Sequence, residues 1–238
     1  MTDLAHYRGP VTAEAEVGAN LEMITKKIAH ATKSVSRDPG AVSLVAVSKV
    51  QPIERVVAAL TAGHRRFGEN RVQDALAKWP PLKERYPDLT LHLIGPLQTN
   101  KVRDAVALFD VIETVDRPKL AKALRAEMNR QGVDRRCFVQ INTGEEPRKA
   151  GVWPNEADAF VALCRDEVGL DVAGLMCIPP VDEEPALHFA LLREIGRRAG
   201  LQELSMGMSG DFVTAIELGS TLVRIGTAVF GARHHPSG

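Results

Sequence analysis

The succession of apolar and amphipathic segments predicts an α/β protein, a single (β/α)8 TIM barrel with an extra N-terminal helix. Three observations predict it. Short β-branched runs alternate with segments whose apolar residues recur at helical spacing. Each connection between successive runs is long enough to hold a helix, so the strands must run parallel. Eight such units fit a chain of 238 residues, a length at which α/β barrels commonly run as one domain. An open doubly wound sheet is the alternative, because a single miscounted strand separates the two.

In chain order, residues 1–12 read as a flexible arm, and the barrel unit spans residues 13–238. A helix from Ala13 to about Val35 precedes the first strand and stops before a turn at Asp38-Pro39-Gly40. Strands are predicted over residues 42–49, 64–69, 90–94, 111–115, 136–142, 171–178, 203–208 and 222–225. Between them, helices are predicted over residues 53–62, 72–79, 100–107, 118–130, 155–167, 183–199 and 211–218. There is no internal repeat beyond this rhythm, no low-complexity tract and no linker that would divide the chain.

Composition excludes several classes of partner. Thirty basic and 30 acidic residues give a formal charge of zero, whereas nucleic-acid binders carry a basic face and anionic-membrane binders a polybasic segment. The longest apolar runs, at residues 42–47 and 175–180, fall far short of the roughly 20 residues of a membrane span. The start, MTDLAHYRGP, lacks the basic and apolar blocks of an export signal, so a soluble cytoplasmic protein is expected. Cys137, Cys164 and Cys177 form no CxxC pair and sit in apolar stretches, as small core residues in a reducing compartment would. Of the seven histidines only His234 and His235 are adjacent, in a Pro/Ser/Gly tail, so no metal site is expected.

In a barrel, chemistry belongs at the carboxyl ends of the strands. The first strand ends Val45-Ala46-Val47-Ser48-Lys49, and alternation puts Lys49 on the face of Val45 and Val47. An amine at such a mouth loses charge through desolvation and becomes a nucleophile for aldehydes. If the strand stops a residue or two earlier, Lys49 is an ordinary solvated lysine. Ser209 and Gly210 after the seventh strand, with Gly226 and Thr227 after the eighth, stand where barrels recurrently bind phosphate. Glycine admits close backbone approach and hydroxyls donate to anionic oxygens. Both segments are equally readable as plain strand-to-helix turns, with Ser209 as a helix cap. A nucleotide loop is a poorer explanation, because neither GxGxxG nor GxxxxGK[ST] occurs. Arg224, between Val223 and Ile225, points into the barrel mouth and needs an acceptor, either a barrel carboxylate or a ring nitrogen of a bound heteroaromatic ligand.

An aldehyde-reactive lysine, a phosphate cup and an arginine between them describe a pyridoxal 5′-phosphate site. The stretches VAVSKVQP, FGENRVQDAL, LHLIGPLQTNKV, QINTGEEPRKAG, GLMCIPP, LSMGMSGDF and GSTLVRIGTAVFGAR, from Val45 to Arg233, resemble the pyridoxal-phosphate homeostasis protein family. Members of that family are similar to the N-terminal barrel of alanine racemase. The resemblance implies that Lys49 holds pyridoxal 5′-phosphate as a Schiff base. It further implies that Ser209, Gly226 and Thr227 bind the phosphate, that Arg224 faces the pyridine nitrogen, and that Asn70 lies beside the ring, with His92 and Met208 as further neighbours. Val50-Gln51, Arg71 and Gly210 depart from the threonine-lysine pair, the aromatic residue and the acid that the family often has there.

An arginine at the pyridine nitrogen discourages its protonation and weakens the ring as an electron sink. Racemisation would also need a second acid/base opposite Lys49, which in alanine racemase comes from a tyrosine of a second domain. Here Tyr7 lies in the arm, Tyr86 is expected at the opposite end of the barrel, and only a short tail follows Arg233. Cys177 is one conceivable substitute. The sequence therefore predicts a non-enzymatic cofactor-binding protein of vitamin B6 homeostasis. Its partners would be the small-molecule cofactor and, transiently, enzymes that accept it, and a monomer is favoured. A small pyridoxal-phosphate-dependent amino-acid racemase is the alternative.

Overall fold

Eight parallel strands close on themselves in sequence order in a computed structural model that describes residues 11–231. They are β1 (Ser43–Val47), β2 (Arg66–Glu69), β3 (Thr90–Leu93), β4 (Val111–Val115), β5 (Arg136–Ile141), β6 (Asp171–Cys177), β7 (Glu203–Ser205) and β8 (Leu222–Ile225). β8 pairs back onto β1, with Arg224 opposite Val45. That closure settles the choice between barrel and open sheet in favour of the barrel.

Side-chain alternation sorts each strand between two apolar layers. Leu44, Ala46, Phe67, Leu91, Leu93 and Ile112 belong to the large layer beneath the helices, whereas Val45, Val111, Phe138, Met176 and Leu222 fill a small cluster inside the barrel. Each fully buried aliphatic or aromatic side chain contributes roughly 1.5–3 kcal/mol, so the outer layer supplies most of the hydrophobic stabilisation. The helices over it are α2 (Ile53–Thr61), α3 (Val72–Lys78), α4 (Pro80–Arg85), α5 (Val102–Leu108), α6 (Pro118–Gln131), α7 (Ala157–Ala162), α8 (Pro185–Ala199), α9 (Phe212–Glu217) and α10 (Thr227–Phe230). Among the described residues no helix is long and apolar enough to cross a membrane.

The extra helix is α1 (Val11–Ser34), starting two residues ahead of the predicted position. Val17, Leu21, Ile24, Ile28 and Ala31 recur on one face and are buried against the barrel helices α2, α9 and α10. Asn20 Nδ2 donates to Val229 O at 3.1 Å, and just past the helix Arg37 donates to Ile216 O and Ser220 O at 2.8 Å each. The helix thus braces the α9–β8–α10 segment that carries the last two strand-end loops. Residues 1–10, including Tyr7, and the His234-His235 tail lie outside the described residues.

Three departures from the sequence reading have local causes. β1 ends at Val47 and β7 at Ser205, earlier than predicted. Gly207, at φ +96, turns the chain away from the strand direction, and a Cβ there would lie 2.6 Å from that of Ala215. α4 was not anticipated, because Pro80-Pro81 reads as a stop; both prolines instead occupy the first positions of a helix, where their missing N–H groups are not needed. The four-residue α10 is too short to carry a periodic signal.

Candidate functional site

The chain leaves β1 through Ser48, whose N–H still donates to Gly68 O at 3.0 Å, and turns at Lys49-Val50. Lys49 therefore sits in the turn and not on the strand, yet it keeps the inward face of Val47 and lines the cavity at the barrel mouth. The turn holds Val50 at φ +54, a left-handed conformation that crowds a β-branched side chain, and the side chain is 65% exposed. Behind the turn, on the helix side of the wall, stands Glu69, fully buried at the end of β2. Its Oε1 accepts from Ser48 Oγ at 2.8 Å, Lys78 Nζ at 2.9 Å and Trp79 Nε1 at 3.0 Å. Lys78 Nζ also donates to Ser48 O at 2.9 Å. The residue next to Lys49 is thereby pinned to α3 through side chain and carbonyl together.

Asn70 follows Glu69 on the opposite, inward face and reaches the same cavity. Its Oδ1 is buried without a hydrogen-bond partner among the described residues. Gly95, after β3, makes room for this segment, since a Cβ there would stand 2.1 Å from Asn70 O.

Arg224 rises from β8 inside the barrel and is 3% exposed. Nη1 donates to Ser205 Oγ and Nη2 to Cys177 O, both at 2.7 Å, while its backbone N–H donates to Gly207 O at 2.9 Å. The sequence leaves a carboxylate and a ring nitrogen as the expected acceptors. The structure supplies a hydroxyl and a carbonyl directly, with a carboxylate one step further. Ser205 Oγ donates to Glu113 Oε2 at 2.5 Å, and Glu113 Oε1 lies 2.6 Å from His92 Nδ1. Burial alone would raise the Glu113 carboxyl. The hydrogen bond from His92, the Arg224 guanidinium and the Ser205 hydroxyl outweigh it and hold the group below the usual carboxylate range.

Lys49, Asn70, Met208, Ser209, Arg224, Gly226 and Thr227, all seven site residues predicted from sequence, line one cavity of about 260 Å³ together with Val47, Ile94, Ile178 and Gly210. Ser209 does not cap the following helix: α9 starts after Asp211, whose carboxylate accepts from Met208 N–H instead. Ser209 and Gly210 are left exposed at the rim. Gly226 packs against the β1 exit, where a Cβ would meet Val47 O at 3.2 Å, and the first amides of α10 follow it without intrahelical acceptors. His92 is not beside the cavity. β3 turns it into the barrel below, where it lines a separate space at the amino ends of the strands with Arg66, Arg136 and Glu203. Burial pushes the Cys177 thiol up to about 12, with Asp211 adding to it against the opposing effect of Arg224, so it is a neutral core group near pH 7. Tyr86 closes α4 ahead of β3, bracketed by Arg65 and Arg85 at 5.0 and 5.3 Å from the ring centre, and does not line the cavity. The sequence reading missed Glu113 and Ser205. An acid inside the run Val111-Ile112-Glu113-Thr114-Val115 was the available signal.

A closed parallel barrel with a lysine, a clamped arginine and two small-residue loops around a cavity at the carboxyl ends of its strands places the chain in the class of α/β-barrel proteins whose site lies at that end. Residues 20–234 match the family described as alanine racemase, N-terminal domain. The pyridoxal phosphate homeostasis protein of Vibrio alginolyticus is 39% identical over 231 residues, covering 93% of this chain and 99% of that one. The protein of the same name in Escherichia coli K12 is 36% identical over 229 residues, covering 92% and 98%. PipY of Synechococcus elongatus PCC7942, solved with PLP bound, is 38% identical with a TM-score of 0.74 and covers 86% of this chain and all of its own. An alanine racemase of Clostridium difficile 630, at 16% identity and TM-score 0.67, shares the fold and is covered over 57% of its length. The chain belongs to the alanine racemase N-terminal domain family and, within it, to the pyridoxal phosphate homeostasis proteins.

Proposed function

We propose that the barrel, as one unit from residue 13 to 238, binds pyridoxal 5′-phosphate on Lys49 as a Schiff base and holds it for vitamin B6 homeostasis without turning over a substrate. The observation that carries this reading is the convergence of the seven residues on one small cavity. At about 260 Å³ it lies just below the range typical of drug-sized ligands and suits a single substituted ring. When bound, the cofactor supplies an electrophilic aldehyde and an electron-withdrawing ring.

The chain's own residues divide the remaining work. Ser209, Gly226 and Thr227 offer hydroxyls and close backbone approach to the phosphate. Asn70 brings its unpartnered Oδ1 to the ring edge, and Met208 covers the rim. Arg224 is a fixed donor toward the ring nitrogen and, being a permanent cation, keeps that nitrogen unprotonated. Among the described residues lining the cavity, Lys49 and Arg224 are the ionisable ones, and an arginine does not act as a base near neutral pH. That lining supports custody of the cofactor over racemisation, which needs two bases. The three cysteines are free and buried, in keeping with a reducing cytoplasm, where the protein works as a monomer and meets cofactor-accepting enzymes transiently.

The test is direct. Wild-type protein mixed with pyridoxal 5′-phosphate should develop a visible absorption band, and Lys49→Ala should lack it. Chiral analysis after incubation with D- and L-amino acids should show no interconversion. A colourless wild type sinks the cofactor reading, whereas Lys49-dependent interconversion sinks the custody reading and leaves the racemase.

A further inference from the structure

Arg224, almost fully buried, must be neutralised by something, and the described residues lining the cavity include no carboxylate. The counter-charge comes from below. Direction along the chain of hydrogen bonds is fixed by chemistry. A guanidinium only donates, so Ser205 Oγ accepts from Nη1 and donates its own O–H to Glu113 Oε2. An ionised carboxylate only accepts, so His92 Nδ1 donates to Glu113 Oε1. Ser205 on β7 and Glu113 on β4 lie three strands apart around the barrel, separated by 92 positions in sequence, and both groups are fully buried.

The inserted hydroxyl matters. A direct arginine–carboxylate pair is commonly a two-pronged fork that takes two N–H groups and binds one whole edge of the guanidinium. Here Ser205 takes a single N–H, Cys177 O takes one from the other terminal nitrogen, and the remaining donors stay available on a group that lines the cavity. The negative charge acts on the arginine from one hydroxyl away without occupying the edge a ligand would need.

We propose that Glu113, acting through Ser205, is a positioning residue of the cofactor site: it holds the Arg224 guanidinium in place and balances its charge while leaving donors for an acceptor on the ligand ring. The proposal rests on the pyridoxal 5′-phosphate reading for the identity of that ring.

Two variants separate its parts. Ser205→Ala removes the link and keeps both charges; Glu113→Gln keeps the shape and removes the charge. Each should weaken pyridoxal 5′-phosphate binding, measured by absorption titration, by about tenfold. Glu113→Gln should also move the pH midpoint of the visible band of the loaded protein downward, because an uncompensated Arg224 disfavours a further positive charge at Lys49. Ser205→Ala should move it less. A role confined to packing would change the unfolding midpoint of the cofactor-free protein and leave the spectral midpoint alone. In an Arg224→Met background, Glu113→Gln should cost no further affinity, since its effect runs through the arginine.

Wild-type affinity in Ser205→Ala overturns the proposal whether or not Glu113→Gln folds, and a full tenfold loss in the Arg224→Met background does the same. If the wild type binds and the variants equal it, only this proposal falls. If the wild type does not bind, the cofactor reading falls and takes the proposal with it.

Discussion

Two buried carboxylates stand behind the Lys49 and Arg224 ends of the cavity, and they are wired differently. Glu69, outside the barrel wall beside Lys49, gathers a serine hydroxyl, an ammonium and an indole N–H on one oxygen, while its other oxygen has no partner among the described residues. Glu113, inside the barrel beneath Arg224, uses both oxygens, one on His92 and the other, through the Ser205 hydroxyl, on Arg224. The first arrangement is a strut: it ties the β1 exit to α3 and fixes backbone. The second is an electrostatic bridge to a group that lines the cavity. Burial is the same in both, so wiring and not burial distinguishes a structural acid from one that tunes a site.

The comparison can be broken by removing each acid in turn. Glu69→Ala leaves the Lys78 ammonium, the Ser48 hydroxyl and the Trp79 N–H without their shared acceptor, and should cost about 3–5 kcal/mol in urea unfolding of the cofactor-free protein. Its spectral pH midpoint, in whatever fraction folds and binds, should match the wild type. A shifted midpoint would show that Glu69 also acts electrostatically and would erase the distinction. Gly95→Ala places a methyl against Asn70 O and should cost about 2 kcal/mol, with a parallel loss of cofactor affinity because Asn70 must move. Trp79→Phe keeps the ring contact with Phe67, whose centroid lies 5.0 Å away, and deletes one of the three bonds to Glu69. About 1 kcal/mol of stability should be lost, read from the same urea curves.

Acid sharpens the contrast from the other side. Glu113 binds its proton less readily in the folded chain than its ordinary value of 4.5. Its contribution to stability is therefore present above that value and is lost as pH falls through the lower folded-state value. Unfolding free energy of the cofactor-free protein should decline along that limb, and Glu113→Gln should flatten it. An unchanged slope would mean that the carboxylate is not ionised in the folded state. An effect as small as that of Trp79→Phe, and opposite in sign, belongs to Val50. Val50→Gly relieves the left-handed conformation at a cost in unfolded-chain entropy, for a net gain of about 1 kcal/mol seen as a higher melting temperature.

What the sequence disclosed and what it withheld follow the range of the forces involved. β4 and β8 begin and end as predicted, because pairing and burial both stop where the apolar run stops. β7 does not, since a glycine permits a turn that no apolar pattern records. Lys49, Arg224 and the two loops meet at one cavity, as expected, because barrel geometry brings strand ends together whatever the details of packing. His92 lies on the expected strand but lines the space at the amino ends of the strands and not the cavity, a difference of height that no sequence pattern records. Glu113 was visible as an acid in an apolar strand and Ser205 as one serine among several, yet their pairing exists only after the barrel closes. No local spacing encodes a contact across 92 residues.

The most direct test of the central claim is reductive trapping. Protein loaded with pyridoxal 5′-phosphate is treated with borohydride, digested and mapped by mass spectrometry. The cofactor should be fixed on the peptide containing Lys49, and the adduct should disappear in Lys49→Ala. An adduct confined to another lysine, or none on a protein that otherwise binds the cofactor, would contradict the account.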